Sequence, residues 1–146
     1  MNIDTRRYEA RIDVLPAVSE FVAACADGFG LDGRAKFGLL LAVEEAFVNI
    51  CRYAYAGDGG VAELSCSSEG DAFVLDISDW GKPFDVLSLP EPDTTGDLMH
   101  RPLGGLGIHL IRKFSNRVTY HREDDRNVLR MVFRRSAKDQ PSSIER

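Results

Sequence analysis

Leu39-Leu40-Leu41-Ala42-Val43-Glu44-Glu45-Ala46-Phe47-Val48-Asn49 is the stretch whose reading decides the fold. It is strongly helical, and its spacing sets Glu45 and Asn49 one turn apart on a single helix face. Two acidic residues interrupt an otherwise apolar run, and Asn49 is a poor helix former in mid-helix. An Asn oxygen is a hard ligand suited to Mg²⁺. A carboxylate one turn away can take a proton from an incoming hydroxyl. The plainer reading of the pair is a solvated polar stripe on an amphipathic helix.

Working outward, Asp32 caps this helix. The pattern predicts it from about Gly33 to Ala56, closing at Gly57-Asp58-Gly59-Gly60. Phe37, Leu40, Leu41, Val48, Cys51 and Tyr55 recur at helical spacing and are read as its apolar face. Upstream, residues 2–14 alternate as a strand. Pro16 then starts a first helix with Val18, Phe21, Val22 and Cys25 on one face, ended by Gly28 and Gly30. Downstream, Val61–Ser67 and Ala72–Ser78 alternate as a hairpin. A helix over Gly107–Phe114 follows, then a second hairpin of Arg117–Arg122 and Asn127–Arg134. The order β-α-α-β-β-lid-α-β-β predicts an α+β two-layer sandwich, its mixed, mostly antiparallel sheet carrying about three helices on one face. The reading is one domain over 1–135 and a polar, frayed tail over 136–146.

Two glycine-bearing loops follow the Glu45/Asn49 helix. In the first, Asp79-Trp80-Gly81-Lys82-Pro83-Phe84-Asp85, Asp79 is placed to accept a hydrogen bond from an exocyclic amine such as adenine carries. Gly81 would let backbone approach a base plane closely. An ordinary strand-ending turn fits the same residues. In the second, Gly104-Gly105-Leu106-Gly107 opens a helix, where backbone amides make an anion site; a plain turn before a helix is the alternative. A dinucleotide fingerprint fails because Leu110 stands where a glycine is needed, and no Gly-Lys-Ser/Thr supports a P-loop. Between the loops, residues 86–102 are polar and proline-bearing, a length that predicts a lid.

Composition sets limits. The 146 residues carry a net charge of −5 and are 44% hydrophobic, which fits one globular domain and gives no sign of direct nucleic-acid binding. Cys25, Cys51 and Cys66 lack metal-ligand spacing and are read as reduced, mostly buried thiols. His100, His109 and His121 show no such spacing either. Arg112 and Lys113 are read as a solvated helix face, and Arg130, Arg134 and Arg135 as edge-strand protection. No apolar leader or membrane-spanning run is present, so a cytoplasmic location is expected.

Together these motifs resemble the ATP-binding fold of the gyrase, Hsp90, histidine-kinase and MutL superfamily. Glu45–Asn49 matches its N box, Asp79-x-Gly81 its first glycine box and Gly104–Gly107 its second. Within it the chain looks most like bacterial anti-sigma factors that are also serine-protein kinases, the RsbW and SpoIIAB type. The shared forms are Glu-Ala-x-x-Asn, then Asp-x-Gly-x-Pro-Phe-Asp, then Gly-Gly-Leu-Gly-Ile. Tyr53 stands where that group usually has His, and the first helix, 16–27, has no arginine. The resemblance implies a Bergerat-type sandwich binding ATP with Mg²⁺. Glu45 would be the general base and Asn49 the Mg²⁺ ligand, Asp79 and Gly81 would hold adenine, and Gly104, Gly105, Leu106 and Gly107 would serve the phosphates. The implied substrate is a serine on a STAS-type anti-sigma-factor antagonist, with a sigma factor as second partner and a homodimer as the working form. A nucleotide-gated binding module without kinase activity is the alternative.

Overall fold

The computed structural model describes residues 3–55, 59–88 and 107–134. The elements are β1 (Asp4–Glu9), α1 (Leu15–Phe29), α2 (Gly33–Asn49), β2 (Val61–Glu69), β3 (Ala72–Asp79), α3 (Gly107–Phe114), β4 (Arg117–Glu123) and β5 (Arg126–Arg134). The five strands form one sheet in the order β1-β2-β3-β5-β4, and every pairing is antiparallel. The α+β sandwich expected from the sequence is the observed architecture. The expected glycines at 104 and 105, Leu106, the lid beyond Ser88 and the C-terminal tail lie outside the described residues.

Side-chain alternation decides which face the helices cover. Leu64 and Cys66 of β2, Phe73, Leu75 and Ile77 of β3, and Leu129, Met131 and Phe133 of β5 are buried in one core with helical residues. The registers stack them across the sheet: Leu75 opposes Met131, Ile77 opposes Leu129, and Phe73 opposes Phe133. The other face carries charge, including the Arg130–Asp76 bidentate pair at 2.8 and 2.9 Å and the Arg7–Glu63 pair at 2.8 Å. Arg130 and Arg134 therefore sit on an inner strand, between β3 and β4. Reading them as edge protection is corrected: Arg130 pairs across the sheet with Asp76 and Glu69.

Local chemistry explains the helix ends. Proline lies in the first turn of α1, where a missing N–H costs nothing. Gly30 ends that helix in the left-handed region at φ 89°, its N–H reaching back to the carbonyls of Ala26 and Asp27. Asp32 caps α2, its Oδ1 accepting from the Ala35 amide at 2.8 Å.

The expected apolar face of α2 is displaced from the observed one. Leu39, Ala42, Val43, Ala46, Phe47, Ile50 and Ala54 form the buried stripe, whereas Phe37 is 61% exposed. Phe37 instead sets its edge on the Phe114 ring of α3, with centroids 6.3 Å apart. The helix also changes hydrogen-bond pattern directly after Asn49. Ile50–Ala54 forms a π turn rather than a continuation of the α-helix to residue 56. Such turns re-aim a helix end and recur at functional sites. The first strand is shorter than expected: it ends at Glu9, and Ile12–Val14 is a 3₁₀ turn.

Candidate functional site

Asn49 is the last residue of α2 and Asp79 the last of β3, and both side chains line one cavity. Ala46, Ile50, Ile77 and Leu129 supply its apolar floor, and Phe84 and Val86 close it from the loop after Asp79. The room inside is about 30 Å³, enough for a water-sized group. Asn49 and Asp79 are 4% and 5% exposed.

Asp79 is held hard. Its Oδ1 accepts from the Gly81 amide at 2.9 Å and from Asn127 Nδ2 at 2.8 Å. Burial raises its pKa, while those two hydrogen bonds and the Arg122 charge pull the other way. Both bonds fall on Oδ1, so neither consumes Oδ2.

Gly81 is required by the protein's own packing. A Cβ there would lie 2.2 Å from the Ala54 carbonyl oxygen at the end of the π turn. The next amide, Lys82 N–H, donates to that same oxygen at 3.1 Å. The end of the helix and the Asp79 loop are thus joined through one carbonyl. Tyr55 makes a second joint: its hydroxyl donates to the Val61 carbonyl at 2.6 Å and accepts from the Trp80 amide at 2.8 Å.

Glu45 stands one turn back from Asn49 and is not among the residues lining the cavity. Its Oε1 and the Asn49 Nδ2 are buried without a hydrogen-bond partner among the described residues. Unpaired buried polar atoms are costly and call for an explanation. Burial is the main cause raising the Glu45 pKa; the neighbouring Glu44 charge adds to it and Arg52 opposes it. With Nδ2 unpartnered, no donated hydrogen bond fixes which way the Asn49 carboxamide faces.

Three residues that sequence reasoning did not select complete the site. Asn127, on β5, donates to Asp79 and to the Lys82 carbonyl at 2.9 Å, while its oxygen accepts from the Phe84 amide at 3.2 Å and from the Tyr120 hydroxyl. Arg122 of β4 donates to the Gly81 carbonyl at 2.8 Å. The available signal was phase: Asn127 shares the inward face with Leu129, Met131 and Phe133, and a polar residue there needs a reason. Arg112, expected on a solvated face, donates to the Leu87 carbonyl at 2.6 Å and ties α3 to the segment after Phe84. Of the second glycine loop only Gly107 is described, and it begins α3.

An antiparallel sheet with helices on one face, and Asn49 and Asp79 lining one cavity beside the end of α2, make this an α+β sandwich. The chain belongs to the histidine kinase-like ATPase domain family, whose pattern it matches over residues 8–133. It is 29% identical over 100 residues to the serine/threonine-protein kinase BtrW of Bordetella bronchiseptica, covering 68% of this chain and 70% of that protein. It is 26% identical over 136 residues to the serine-protein kinase RsbW of Bacillus cereus, covering 84% of each. The fold matches the RsbU and RsbW domains of Rv1364c from Mycobacterium tuberculosis with a TM-score of 0.63 at 12% identity, over 92% of this chain and 32% of that one. It also matches a histidine kinase domain from Erythrobacter litoralis EL346, with a TM-score of 0.53 at 17% identity, over 85% of this chain and 62% of that one. The chain therefore spans about a third of the mycobacterial chain and under two thirds of the second. No described helix is long and apolar enough to cross a membrane.

Proposed function

We propose that this chain is an ATP-dependent protein-serine kinase of the RsbW type that also acts as an anti-sigma regulatory factor. The observation that carries the reading is the convergence of Asn49 and Asp79 on one cavity, with the Asn49 Nδ2 unpartnered among the described residues. The similarity to two serine-protein kinases supports it.

Each residue has a role derived from its surroundings. Asp79 has Oδ1 fixed by Gly81 and Asn127, so Oδ2 accepts from the exocyclic amine of adenine. The apolar floor of the cavity covers the base. Asn49 would hold Mg²⁺ through its hard amide oxygen, and its buried Nδ2 has no hydrogen-bond partner among the described residues. Bound there with ATP, the ion would supply charge neutralisation on the phosphates. The motif resemblance assigns the phosphates to Gly104, Gly105, Leu106 and Gly107, of which only Gly107 is among the described residues. Glu45, half-buried and with a raised pKa, orients the substrate serine hydroxyl and accepts its proton. The protein substrate is a STAS-type anti-sigma-factor antagonist, the second partner a sigma factor, and the working form a homodimer.

One observation favours a second reading, a nucleotide-gated binding module without kinase activity: Glu45 lies outside the cavity walls. Incubating the chain with Mg-ATP and the cognate antagonist, then sequencing the antagonist by mass spectrometry, separates the two. Phosphoserine that disappears with Glu45→Gln, while ATP still binds, supports the kinase. ATP binding and partner capture with no phosphoserine support the module.

A further inference from the structure

We propose that Cys25 and Cys66 form a thiol-disulfide exchange site, in which a small amine-bearing disulfide oxidises the pair to an internal Cys25–Cys66 bond. The site lies away from the nucleotide cavity. Cys66 is four residues along β2 from Ala62, the register partner of Asp79, a separation of roughly 13 Å along a strand.

Three structural observations place the thiols together. Cys66 faces Asp4 across the β1–β2 pairing. Cys25, on α1, sets its Sγ 4.0 Å from the Asp4 carboxylate. Cys25 and Cys66 also line one and the same cavity. It is open, about 410 Å³ in volume, and lined as well by Asp4, Ser67, Ser68 and Gly70. That volume admits a small peptide-like disulfide, and Asp4 gives its amine a counter-charge.

Accessibility sets the order of events. Cys25 is half-buried and Cys66 is buried, 3% exposed. The Cys25 thiolate attacks one sulfur of the small disulfide, and the other leaves as a thiolate that takes a proton. Cys66 then loses its proton to solvent and attacks the Cys25 sulfur, expelling the second small thiol. The net change oxidises two protein thiols to one disulfide and reduces one small disulfide to two thiols. Burial holds both thiols protonated at neutral pH, Asp4 adds to this for both, and Arg6 opposes it at Cys25. The rate therefore climbs about tenfold per pH unit below the thiol pKa.

The test is to incubate the intact native chain with excess glutathione disulfide at pH 8, cap free thiols and map the peptides. The expected product links Cys25 to Cys66 and leaves Cys51 capped, with a transient glutathione adduct on Cys25 in rapid-quench samples. Cys66→Ser should make that adduct permanent, and the rapid-quench result stands in for it if the variant misfolds. A wild-type adduct on Cys25 that never resolves overturns the proposal. So does modification of Cys51 at the same rate, or a native chain left fully reduced once an unfolded control has oxidised.

Discussion

Asn127 shows how much one side chain can organise. Its carboxamide donates twice and accepts from the Phe84 amide, the Tyr120 hydroxyl and Arg122, so it joins β3, β5, β4 and the loop that carries Gly81. Asn127→Ala leaves Asp79 with one donor and strands the Phe84 amide. Leaving a buried polar group unsatisfied costs about 1–3 kcal/mol. A loss of about 2 kcal/mol in urea denaturation is expected, with ATP affinity falling at least tenfold by calorimetry, about 1.4 kcal/mol in binding. Glu45 gives the opposite balance. Its folded-state pKa is raised above the ordinary 4.5, chiefly by burial. The fold therefore favours the protonated form, and the stability this contributes is lost as pH rises through the folded pKa. Glu45→Gln should melt higher than wild type at pH 7 and converge with it in acid, followed by circular dichroism. The same substitution should lower phosphoryl transfer by 10²–10⁴-fold and remove the acid limb of the wild-type pH–rate profile. Equal melting at pH 7 would show that Glu45 is not strained by burial.

At the scale of elements, the two hairpins differ in how their turns are made. The β2–β3 turn is Gly70-Asp71, with Gly70 at φ 61°. The β4–β5 turn is Asp124-Asp125, with φ 49° and 66°, the double left-handed geometry of a two-residue hairpin that asparagine and glycine fill best. A left-handed conformation costs a non-glycine residue roughly 1–2 kcal/mol. Asp125→Gly is expected to recover part of that, about 0.5–1 kcal/mol, raising Tm by a few degrees. Unchanged or lowered Tm would mean that the Asp125 side chain supports the turn. The hairpins were legible in the sequence because alternation and turn residues are local signals. The π turn was not: Ile50–Ala54 continues a good helical sequence, and the change follows from the Ala54 carbonyl meeting the Asp79 loop. The buried stripe of α2 was misphased for a related reason. Phe37 and Leu40 are more apolar than Ala42 and Ala46, yet the sheet admits the small residues and leaves Phe37 to α3.

For the whole molecule, sequence order foretold the α+β architecture because each element announces itself locally. The β2–β3 and β4–β5 pairings follow from short hairpins, whereas the β1–β2 and β3–β5 pairings, which make the sheet wholly antiparallel rather than mixed, are closed across long connections. The site was half legible. Asp79 stands two residues before Gly81 and Asn49 one helical turn after Glu45, so residue type and spacing singled them out. Asn127 and Arg122 act across 48 and 41 residues, a distance over which only the folded register brings partners together. This division predicts how stability should respond to nucleotide. Phe84 and Val86 line the cavity beside Asn49 and Asp79, so on the proposed reading a bound base becomes part of the core. A ligand that binds only the folded state stabilises it by mass action, about 2.7 kcal/mol at a hundredfold excess over Kd. Mg-ATP at that excess should therefore raise Tm by several degrees. Asp79→Asn keeps an oxygen for the Gly81 amide and the Asn127 donor but substitutes an amide donor for Oδ2, where the proposed contact with the adenine amine requires an acceptor. It should fold, show its own melting transition, and lose the Mg-ATP shift. A retained shift would place the base elsewhere and with it the whole assignment of the cavity.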